Sequence, residues 1–326
     1  MMDPGPQSQT SRDHQLALEV DSDITELIQL AVREDLGGLP GPDSCRDGRD
    51  ATSLAAVPAG LMAQAEIVTR RAGVVGGLVL LPHIAVWYSN TIKIESHVSD
   101  GGSVEAQSRL ATLYGPARAL LSAERIILNF LGRLSGIATL TRCFVDTVRE
   151  SCGTTHPCPQ ICDTRKTTPG WRKLEKYAVR CGGGHNHRMG LYDGIMLKDN
   201  HLAALAATLG GEKSLAALTR HVRDATPREI PLWLEVDTLE QLAQALPGGG
   251  ADIILLDNMN ARQLRQAVEK RDALNAGRYP LLEASGGITL ENIGEISLTG
   301  VDRISIGALT HSALWLDVSM EFSAHG

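Results

Sequence analysis

The chain has 326 residues, of which 43% are hydrophobic and 21% charged, and its formal net charge at pH 7 is −7. This length suits one large domain with a smaller one, and the composition is that of an ordinary globular protein. General nucleic-acid binding needs a broad basic surface, so we expect no nucleic-acid partner, and any cationic site must be local.

The N-terminal twenty residues are polar and rich in Ser, Gln, Pro and Gly, which predicts a disordered leader over residues 1–20. They contain no apolar run of the kind that a secretory signal needs. The longest apolar stretch, from Val74 to Tyr88, is interrupted by glycine, proline and histidine and is too short to cross a bilayer. We therefore expect a cytoplasmic protein with no membrane partner.

The cysteines raise a zinc site as an alternative, because four of the six fall between positions 143 and 162, with His156 among them. No CxxC pair occurs in this stretch, and Cys162 falls inside a predicted strand, so the spacing is poor for zinc. We expect mostly buried, reduced thiols, and the zinc alternative stays open.

The region before residue 117 predicts a small N-terminal domain that contains a sheet. Apolar residues at helical spacing predict a helix from Ile24 to Arg33, with its start at residues 21–23. Residues 37–50 are loop by composition. Short β-type runs then alternate with glycine turns between residues 61 and 113.

A long helical region follows, from residue 117 to about residue 150, with leucine and isoleucine along one face. Ser135 and Gly136 predict a break near its middle. Glu124 and Arg125 lie within this helix, and the residue pattern alone favours a solvated or paired face for both.

Beyond residue 160 short apolar runs alternate with helical stretches. The runs are QICDT, GIMLK, PLWLEV, DIILLD, LLEASGG and DRISIGAL. Repeated β-then-α units predict a parallel sheet with right-handed crossovers. Six such runs in so short a stretch favour a compact barrel over an open sheet.

Polar residues follow these strands in a pattern, and in an α/β barrel ligands bind at the carboxyl ends of the strands. They are Thr164, Arg165, Lys166, Lys198, Glu235, Asp237, Asp257, Ser285, Gly286, Gly287 and Gly307. Each residue alone is typical of a helix cap or a solvated loop. Their joint occurrence at one end of the strands favours a binding site.

The stretch from residue 163 to residue 201 is a positive island, with eight Lys or Arg residues and four acids. Such an island in an acidic chain predicts a pocket for a polyanion. Arg172, Lys173 and Lys176 follow Pro169 on a predicted helix, where a solvated face is the better interpretation.

Two histidines, His185 and His187, follow three consecutive glycines. They are candidate metal ligands, but no nearby carboxylate completes a metal set. We interpret His187 and Arg188 as contacts to an anion.

Glycines after the last two strands predict a phosphate site. The Ser285–Gly287 turn opens a helix, so its backbone N–H groups and the positive end of the helix dipole favour a phosphate. Gly307 follows the next strand. Between these glycines and the cations lie Glu235 and Asp257, whose oxygens suit sugar hydroxyls or a Mg²⁺ ion that a phosphorylated substrate carries.

Taken together, these motifs resemble those of the quinolinate phosphoribosyltransferase family. The stretches that carry the resemblance are TRKTTPGWRKLEKYAVRCGGGHNHRMGLYDGIMLKDNH, ERIILNFLGRLSGIAT, LEVDTLEQL, ADIILLDN, EASGGIT and SIGALTHS. The similarity covers roughly residues 21–320, and the TRKT and GGGxNHR motifs are highly specific. The leader and the segment GGLPGPDSCRDGRD fall outside the family pattern.

The resemblance implies an α/β fold with a seven-stranded α/β barrel, TIM-like, over residues 118–311. It also implies a smaller N-terminal α/β open-faced sandwich over residues 21–117, to which residues 312–326 return. The implied reaction joins quinolinate to phosphoribosyl pyrophosphate with Mg²⁺. Its products are nicotinate mononucleotide, pyrophosphate and carbon dioxide, and the step feeds de novo NAD synthesis.

The resemblance also assigns a role to each site residue. The two quinolinate carboxylates would bind Arg165, His187, Arg188 and Lys198, with a hydroxyl contact from Thr164. Arg125 would reach the pocket of a neighbouring subunit. The resemblance therefore replaces the earlier interpretation of Arg125 as part of a solvated face. The active unit would then be a homodimer or a hexamer of dimers.

The remaining residues would hold phosphoribosyl pyrophosphate. Lys166 would contact this substrate, while Glu235 and Asp257 would hold its ribose hydroxyls and Mg²⁺. Its 5′-phosphate would lie on Ser285, Gly286, Gly287, Gly307 and His311.

Three alternatives stay open at this point. One is a related barrel phosphoribosyltransferase that acts on another pyridine or on a metal-cofactor precursor. Another is a binding or regulatory protein that kept the fold without the activity. A third is an aldolase-like barrel with a Schiff base at Lys198, which the adjacent cations and acids disfavour.

Overall fold

The computed structural model describes residues 16–39, 49–154, 157–209, 214–274 and 279–325. These residues form two compact units that are not contiguous in the chain. The first unit comprises the described residues up to Arg142 together with Thr167–Gly183 and the segment from Thr310 onward, and the second comprises Cys143–Lys166 and Gly184–Leu309. The domain boundaries given above stay predictions, and most of the leader, like Cys45 and His156, lies outside the described residues.

The elements alternate in the order that the sequence pattern indicates. The strands are β1 (Met62–Thr69), β2 (Gly73–Val74), β3 (Lys93–Ser96), β4 (Ser103–Val104), β5 (Arg109–Pro116), β6 (Gln160–Cys162), β7 (Ile195–Leu197), β8 (Leu232–Val236), β9 (Ile253–Asp257), β10 (Leu281–Ser285), β11 (Arg303–Ser305) and β12 (Val318–His325). The helices are α1 (Ser22–Leu36), α2 (Ala51–Ala56), α3 (Leu81–Ala85), α4 (Ala117–Cys152), α5 (Arg172–Cys181), α6 (Asp199–Leu209), α7 (Leu215–Asp224), α8 (Leu239–Ala245), α9 (Ala261–Leu274), α10 (Ile293–Ser297) and α11 (Ala308–His311). None of these described helices is long and apolar enough to span a membrane.

Helix α1 confirms the helix predicted near residue 24. The side chain of Asp21 accepts a hydrogen bond from the backbone N–H of Ile24 and caps the helix, as short polar side chains do at this position. Ile24, Ile28 and Val32 are buried, which is the face that the spacing indicated.

The first unit contains an antiparallel sheet with the strand order β12–β1–β5–β3, and β2 pairs separately with β4. The sequence predicted every strand of this sheet except β12. A signal for β12 was available, because Val318, Met320 and Phe322 alternate with polar residues at the strand period. Residues 318–325 pair along the whole of β1.

Helix α4 runs without interruption, so the break predicted at Ser135 and Gly136 was wrong. A Cβ atom at Gly136 would lie 2.0 Å from the backbone oxygen of Leu314 and 3.0 Å from the Cα of Trp315. The glycine therefore allows close approach of a neighbouring backbone rather than a change of helix direction.

Helix α5 corrects the expectation that its cations form a solvated face. Lys176 is fully buried, as are its neighbours in the consecutive residues 174–179. Lys173 forms ion pairs with Asp21 and Asp23. Because residues 174–179 are buried on every side of the helix, the charge of Lys176 did not predict its exposure.

The second unit contains a parallel sheet with the strand order β6–β11–β10–β9–β8–β7. All six strands predicted beyond residue 160 are present, which confirms the α/β class. The number of seven strands is not confirmed, because the described part of this unit has six. His185 forms an isolated parallel bridge with Cys162 at the free edge of β6, where a seventh strand would lie.

Asp163 explains why this bridge does not extend into a strand. Its carboxylate accepts hydrogen bonds from the backbone N–H of His187 at 2.8 Å and from the side-chain amide of Asn186 at 2.6 Å. The backbone N–H of His187 is thus bound to a side chain and is not available to continue the ladder with β6.

Gly136→Ala tests the close approach to α4. Alanine in a helix favours folding by about 1 kcal/mol over glycine, but the clash with a backbone oxygen is the larger effect. We expect the free energy of unfolding to fall by at least about 2 kcal/mol in denaturant titrations. The matched control is Gly60→Ala, where no atom lies within 4 Å of the added Cβ. A stabilised Gly136→Ala variant would contradict this packing.

Candidate active site

The parallel register places the predicted site residues at one edge of the sheet of the second unit. Ser285 is level with Asp257 on one side and with Ser305 on the other, and Ser305 is level with Cys162. These four residues end their strands in one row. The segments Thr164–Lys166, Gly286–Gly287 and Gly307 follow this row directly, so chain direction alone brings them to the same edge.

Lys198 and Glu235 form an ion pair at this edge. Lys198 directly follows β7, and its Nζ lies 2.5 Å from Oε2 of Glu235 on β8. The lysine side chain remains 45% exposed and the glutamate 17%, so the pair is accessible from one side. The two strands are hydrogen-bonded neighbours, which explains why residues far apart in sequence meet here.

Asp257 and the glycine turn are joined by Asn258. Its side-chain amide donates to the Asp257 carboxylate at 2.8 Å, and its backbone N–H donates to the Ser285 oxygen at 2.8 Å. A Cβ at Gly286 would lie 2.1 Å from Oδ1 of Asn258, so only glycine fits. At Gly287 φ is +62° and no described atom lies within 4 Å of the Cβ position. The prediction that this turn opens a helix was wrong, because α10 begins only at Ile293. The open backbone, and not a helix dipole, is therefore the feature that suits a phosphate.

Two guanidinium groups, those of Arg165 and Arg188, lie near each other. Burial, and secondly the positive charge of Arg165, lower the pKa of Arg188, and Asp193 opposes this effect. Nη1 of Arg188 donates to the backbone oxygen of Gly194 at 2.8 Å. Nε of Arg165 is buried and has no hydrogen-bond partner in the described part of the chain. Like charges with an unsatisfied buried donor favour a bound anion.

Sequence reasoning missed a buried cluster behind this edge, formed by Glu283, Trp233 and Arg303 around His187. Oε2 of Glu283 accepts from Arg303 Nε at 2.8 Å and from Trp233 Nε1 at 3.2 Å. Oε1 of Glu283 lies 3.4 Å from Nε2 of His187. Burial raises the pKa of Glu283, but the hydrogen bond with His187 and the charge of Arg303 outweigh burial and lower this pKa to about 2. The available signal was a lone glutamate inside an apolar strand.

The remaining predicted residues lie as follows. Thr164 is half-buried, and its Oγ1 accepts a hydrogen bond from the backbone N–H of the exposed Lys166 at 3.0 Å. Gly307 is half-buried after β11. Arg125, exposed on α4, and His311, exposed at the end of α11, belong to the first unit, and their roles stay predictions.

The carboxylates allow a limited metal interpretation. Among the described residues, no group of three or more His, Cys, Asp or Glu side chains could hold a metal ion. Asp257 nevertheless ends β9, and Glu235 lies one residue before the end of the neighbouring strand β8. One or two carboxylates suffice for Mg²⁺ when substrate phosphates supply other ligands, so these two residues fit an ion that arrives with its substrate.

The fold and the edge define an α/β protein that binds small anionic ligands at the carboxyl ends of parallel strands. Comparison with known families makes this more specific. The family "Quinolinate phosphoribosyl transferase, N-terminal domain" matches residues 50–135, and "Quinolinate phosphoribosyl transferase, C-terminal domain" matches residues 137–321. The chain belongs to the quinolinate phosphoribosyltransferase family.

Individual relatives agree with this assignment. A nicotinate-nucleotide pyrophosphorylase (carboxylating) of Mycobacterium leprae is 42% identical over 91% of this chain and 96% of its own length. A probable enzyme of the same name from Bacillus subtilis is 43% identical over 79% of this chain and 83% of its own length. The crystal structure of NadC from Streptococcus pyogenes has a TM-score of 0.81 at 32% identity and covers 95% of this chain and 99% of that one.

Acid titration tests the electrostatics of the buried cluster. Folding lowers the pKa of Glu283 from 4.5 to about 2, so its ionised form stabilises the fold above pH 4.5. This contribution is lost as the pH falls from 4.5 toward 2. Glu283→Gln has no carboxylate at this position and therefore no titration there. We expect the difference in unfolding free energy between the native chain and Glu283→Gln to shrink over this range in urea titrations. Parallel curves would contradict a lowered pKa.

Proposed function

We propose that this chain transfers the phosphoribosyl group of phosphoribosyl pyrophosphate to quinolinate with decarboxylation. The products are nicotinate mononucleotide, pyrophosphate and carbon dioxide, which places the reaction in de novo NAD biosynthesis. The observation that carries the proposal is the pair of guanidiniums, Arg165 and Arg188, with the buried Nε of Arg165 unpartnered among the described residues. In a chain of this family, such a pair suits the two adjacent carboxylates of quinolinate.

Carboxylate binding follows from the chemistry of the cations. A guanidinium is planar and presents paired N–H donors, so Arg165 and Arg188 suit bidentate contacts with carboxylates. Lys198 supplies a point charge at the neighbouring strand end, and Thr164 supplies a hydroxyl. His187 was assigned to the same carboxylates from the sequence, and this contact stays a prediction. Its Nδ1 accepts a hydrogen bond from the backbone of Arg188, and its Nε2 lies 3.4 Å from Glu283.

The second substrate is held by the other half of the edge. The 5′-phosphate lies on the Ser285–Gly287 turn and Gly307, where the backbone is open, with His311 as a further contact in this proposal. Glu235 and Asp257 accept hydrogen bonds from the ribose hydroxyls. Lys166 is exposed next to Arg165 and neutralises the pyrophosphate as it leaves.

Bond changes in this reaction require electrostatic stabilisation and no protein nucleophile. The quinolinate ring nitrogen forms a bond to the anomeric carbon as the bond from that carbon to pyrophosphate breaks. The ring nitrogen is then cationic. It stabilises the electron pair left on the ring when carbon dioxide departs, and a proton replaces the lost carboxylate.

Magnesium belongs to this proposal as an ion carried by the second substrate. Glu235 and Asp257 would hold it, and when bound it neutralises charge on the pyrophosphate. The ion pair between Lys198 and Glu235 would reorganise when the ion binds, because the same carboxylate serves both cations.

The residues at this edge of the sheet also discriminate between the alternative functions. A pyridine with one carboxylate would leave one guanidinium of the pair unsatisfied, so nicotinate fits less well than quinolinate. A binding protein without activity would not need Glu235 and Asp257 beside the phosphate cradle.

We further propose a homodimer in which Arg125 of one subunit completes the site of the other. The cytoplasmic location stays a prediction.

Turnover by the purified chain tests the proposal. With quinolinate, phosphoribosyl pyrophosphate and Mg²⁺, we expect nicotinate mononucleotide to form, followed by chromatography, and no comparable product from nicotinate. Arg165→Met and Arg188→Met should each lower kcat/KM for quinolinate roughly 10- to 100-fold, the loss of one charged hydrogen bond. Arg149→Met, on a surface ion pair, is the matched control. Turnover of nicotinate in place of quinolinate would refute the proposal.

Mixed assemblies test the role of Arg125. Arg125→Ala and Arg165→Ala should each retain only a small part of native activity when purified alone. In a random mixture of the two, about half of the dimers are mixed and each has one intact site, so we expect about a quarter of native activity. Activity is measured after co-expression and compared with that of each variant purified alone. If co-expression restores nothing, Arg125 does not act across subunits.

A further inference from the structure

We propose that Glu283 is a positioning residue for carboxylate binding. Through the buried imidazole of His187 it fixes the main chain of Arg188, and thereby the guanidinium that receives a substrate carboxylate. The choice of substrate in this inference rests on the proposed function. The position of the proton on His187 is independent of the proposed function and can be tested separately.

The two ring nitrogens of His187 have different neighbours. Nδ1 accepts a hydrogen bond from the backbone N–H of Arg188 at 2.7 Å. A nitrogen that accepts carries no proton, so in the neutral ring the proton lies on Nε2. Nε2 lies 3.4 Å from Oε1 of Glu283, so this proton lies beside a carboxylate in an electrostatic contact. The carboxylate therefore selects the tautomer that leaves Nδ1 free to accept from Arg188.

Glu283 is itself held in one orientation. Its side chain is fully buried on β10, and its Oε2 receives both the Nε–H of Arg303 and the Nε1–H of Trp233. Arg303 is level with Glu283 on the neighbouring strand β11. With Oε2 occupied by two donors, Oε1 is the oxygen that faces the histidine.

The plane of the imidazole is also fixed. His187 stacks on Trp233 with ring centroids 4.5 Å apart and an interplanar angle of 28°. Gly194 makes this stack possible, since a Cβ there would lie 2.9 Å from the Trp233 ring and 3.2 Å from Cβ of Arg188. The backbone oxygen of Gly194 also accepts from Nη1 of Arg188. Arg188 is thus held at its backbone by His187 and at its guanidinium by Gly194.

This arrangement gives His187 a role in addition to the one assigned from the sequence. The histidine accepts a hydrogen bond from the residue that follows it, and its contact with quinolinate stays a prediction. Glu283, His187 and Arg188 then form a chain from a buried carboxylate to the binding edge, through a 3.4 Å contact between Oε1 and Nε2 and a hydrogen bond from the Arg188 N–H to Nδ1.

Glu283→Gln inverts one step of this chain while keeping the shape of the side chain. The amide oxygen must take the place of Oε2, because Arg303 and Trp233 both donate there. The amide NH₂ then faces Nε2 of His187 as a donor, so the proton of the imidazole moves to Nδ1. There it opposes the backbone N–H of Arg188.

We expect ¹⁵N NMR of histidine-labelled protein to show the proton of His187 on Nε2 in the native chain and on Nδ1 in Glu283→Gln, with the signal assigned by a His187→Asn variant. The KM for quinolinate should rise roughly 10- to 100-fold, as is usual when an outer partner of a binding residue is lost. The KM for phosphoribosyl pyrophosphate should stay nearly constant. A merely structural role would change both constants or neither.

Trp233→Phe is the matched control for the proton position, because it removes a donor to Glu283 but keeps the aromatic stack and the carboxylate. The proton of His187 should stay on Nε2. A proton on Nδ1 in the native chain, or one that moves in Trp233→Phe as well, would overturn the inference, and the native spectrum serves even if Glu283→Gln fails to fold. Absence of turnover with a native-like spectrum would instead refute the proposed function alone.

Discussion

Parallel strand register is the constraint on which the candidate site depends. Hydrogen bonds between β6, β11, β10 and β9 hold Cys162, Ser305, Ser285 and Asp257 in one row. The segments Thr164–Lys166, Gly286–Gly287 and Gly307 follow that row directly. A slip of one residue in a ladder would turn the last side chain of that strand to the opposite face of the sheet. The binding residues need no contacts with each other to be assembled, because the ladders assemble them.

The same register explains how much the sequence could predict. Strands and the order of site residues along the chain follow from local apolar runs, so all six strands of the second unit were found. The cluster of Glu283, Trp233 and Arg303 depends on which strands are neighbours, and sequence does not state neighbours. Lys176 and the unbroken α4 were misjudged for a related reason. Burial of a lysine and close approach at Gly136 depend on contacts with residues distant in the sequence. A local sequence pattern does not predict such contacts.

Charge is used differently at the edge and behind it. Behind the edge, Glu283 is matched by Arg303 and by the imidazole of His187, so burial leaves few charges without compensation. At the edge, Arg165 and Arg188 repel each other, and the buried Nε of Arg165 has no hydrogen-bond partner among the described residues. Repulsion between the two guanidiniums destabilises the protein while the site is empty, and a bound anion relieves it. A site of this kind therefore lowers stability in order to bind its ligand, which is the usual conflict between stability and activity. The matched cluster gives a rigid base on which an unmatched pair can be held.

The pairing of β1 with β12 has a consequence for how the chain reaches its native state. Met62 to Thr69 are made early, but their partners are residues 318–325, and the whole second unit is made in between. Until those residues are available, β1 pairs with β5 on one side only and presents a bare backbone edge on the other. Such distant pairing is slow because a long loop must close first. During synthesis the first unit is therefore exposed to association with other unfinished chains, and it is the unit for which we expect chaperone assistance to matter most.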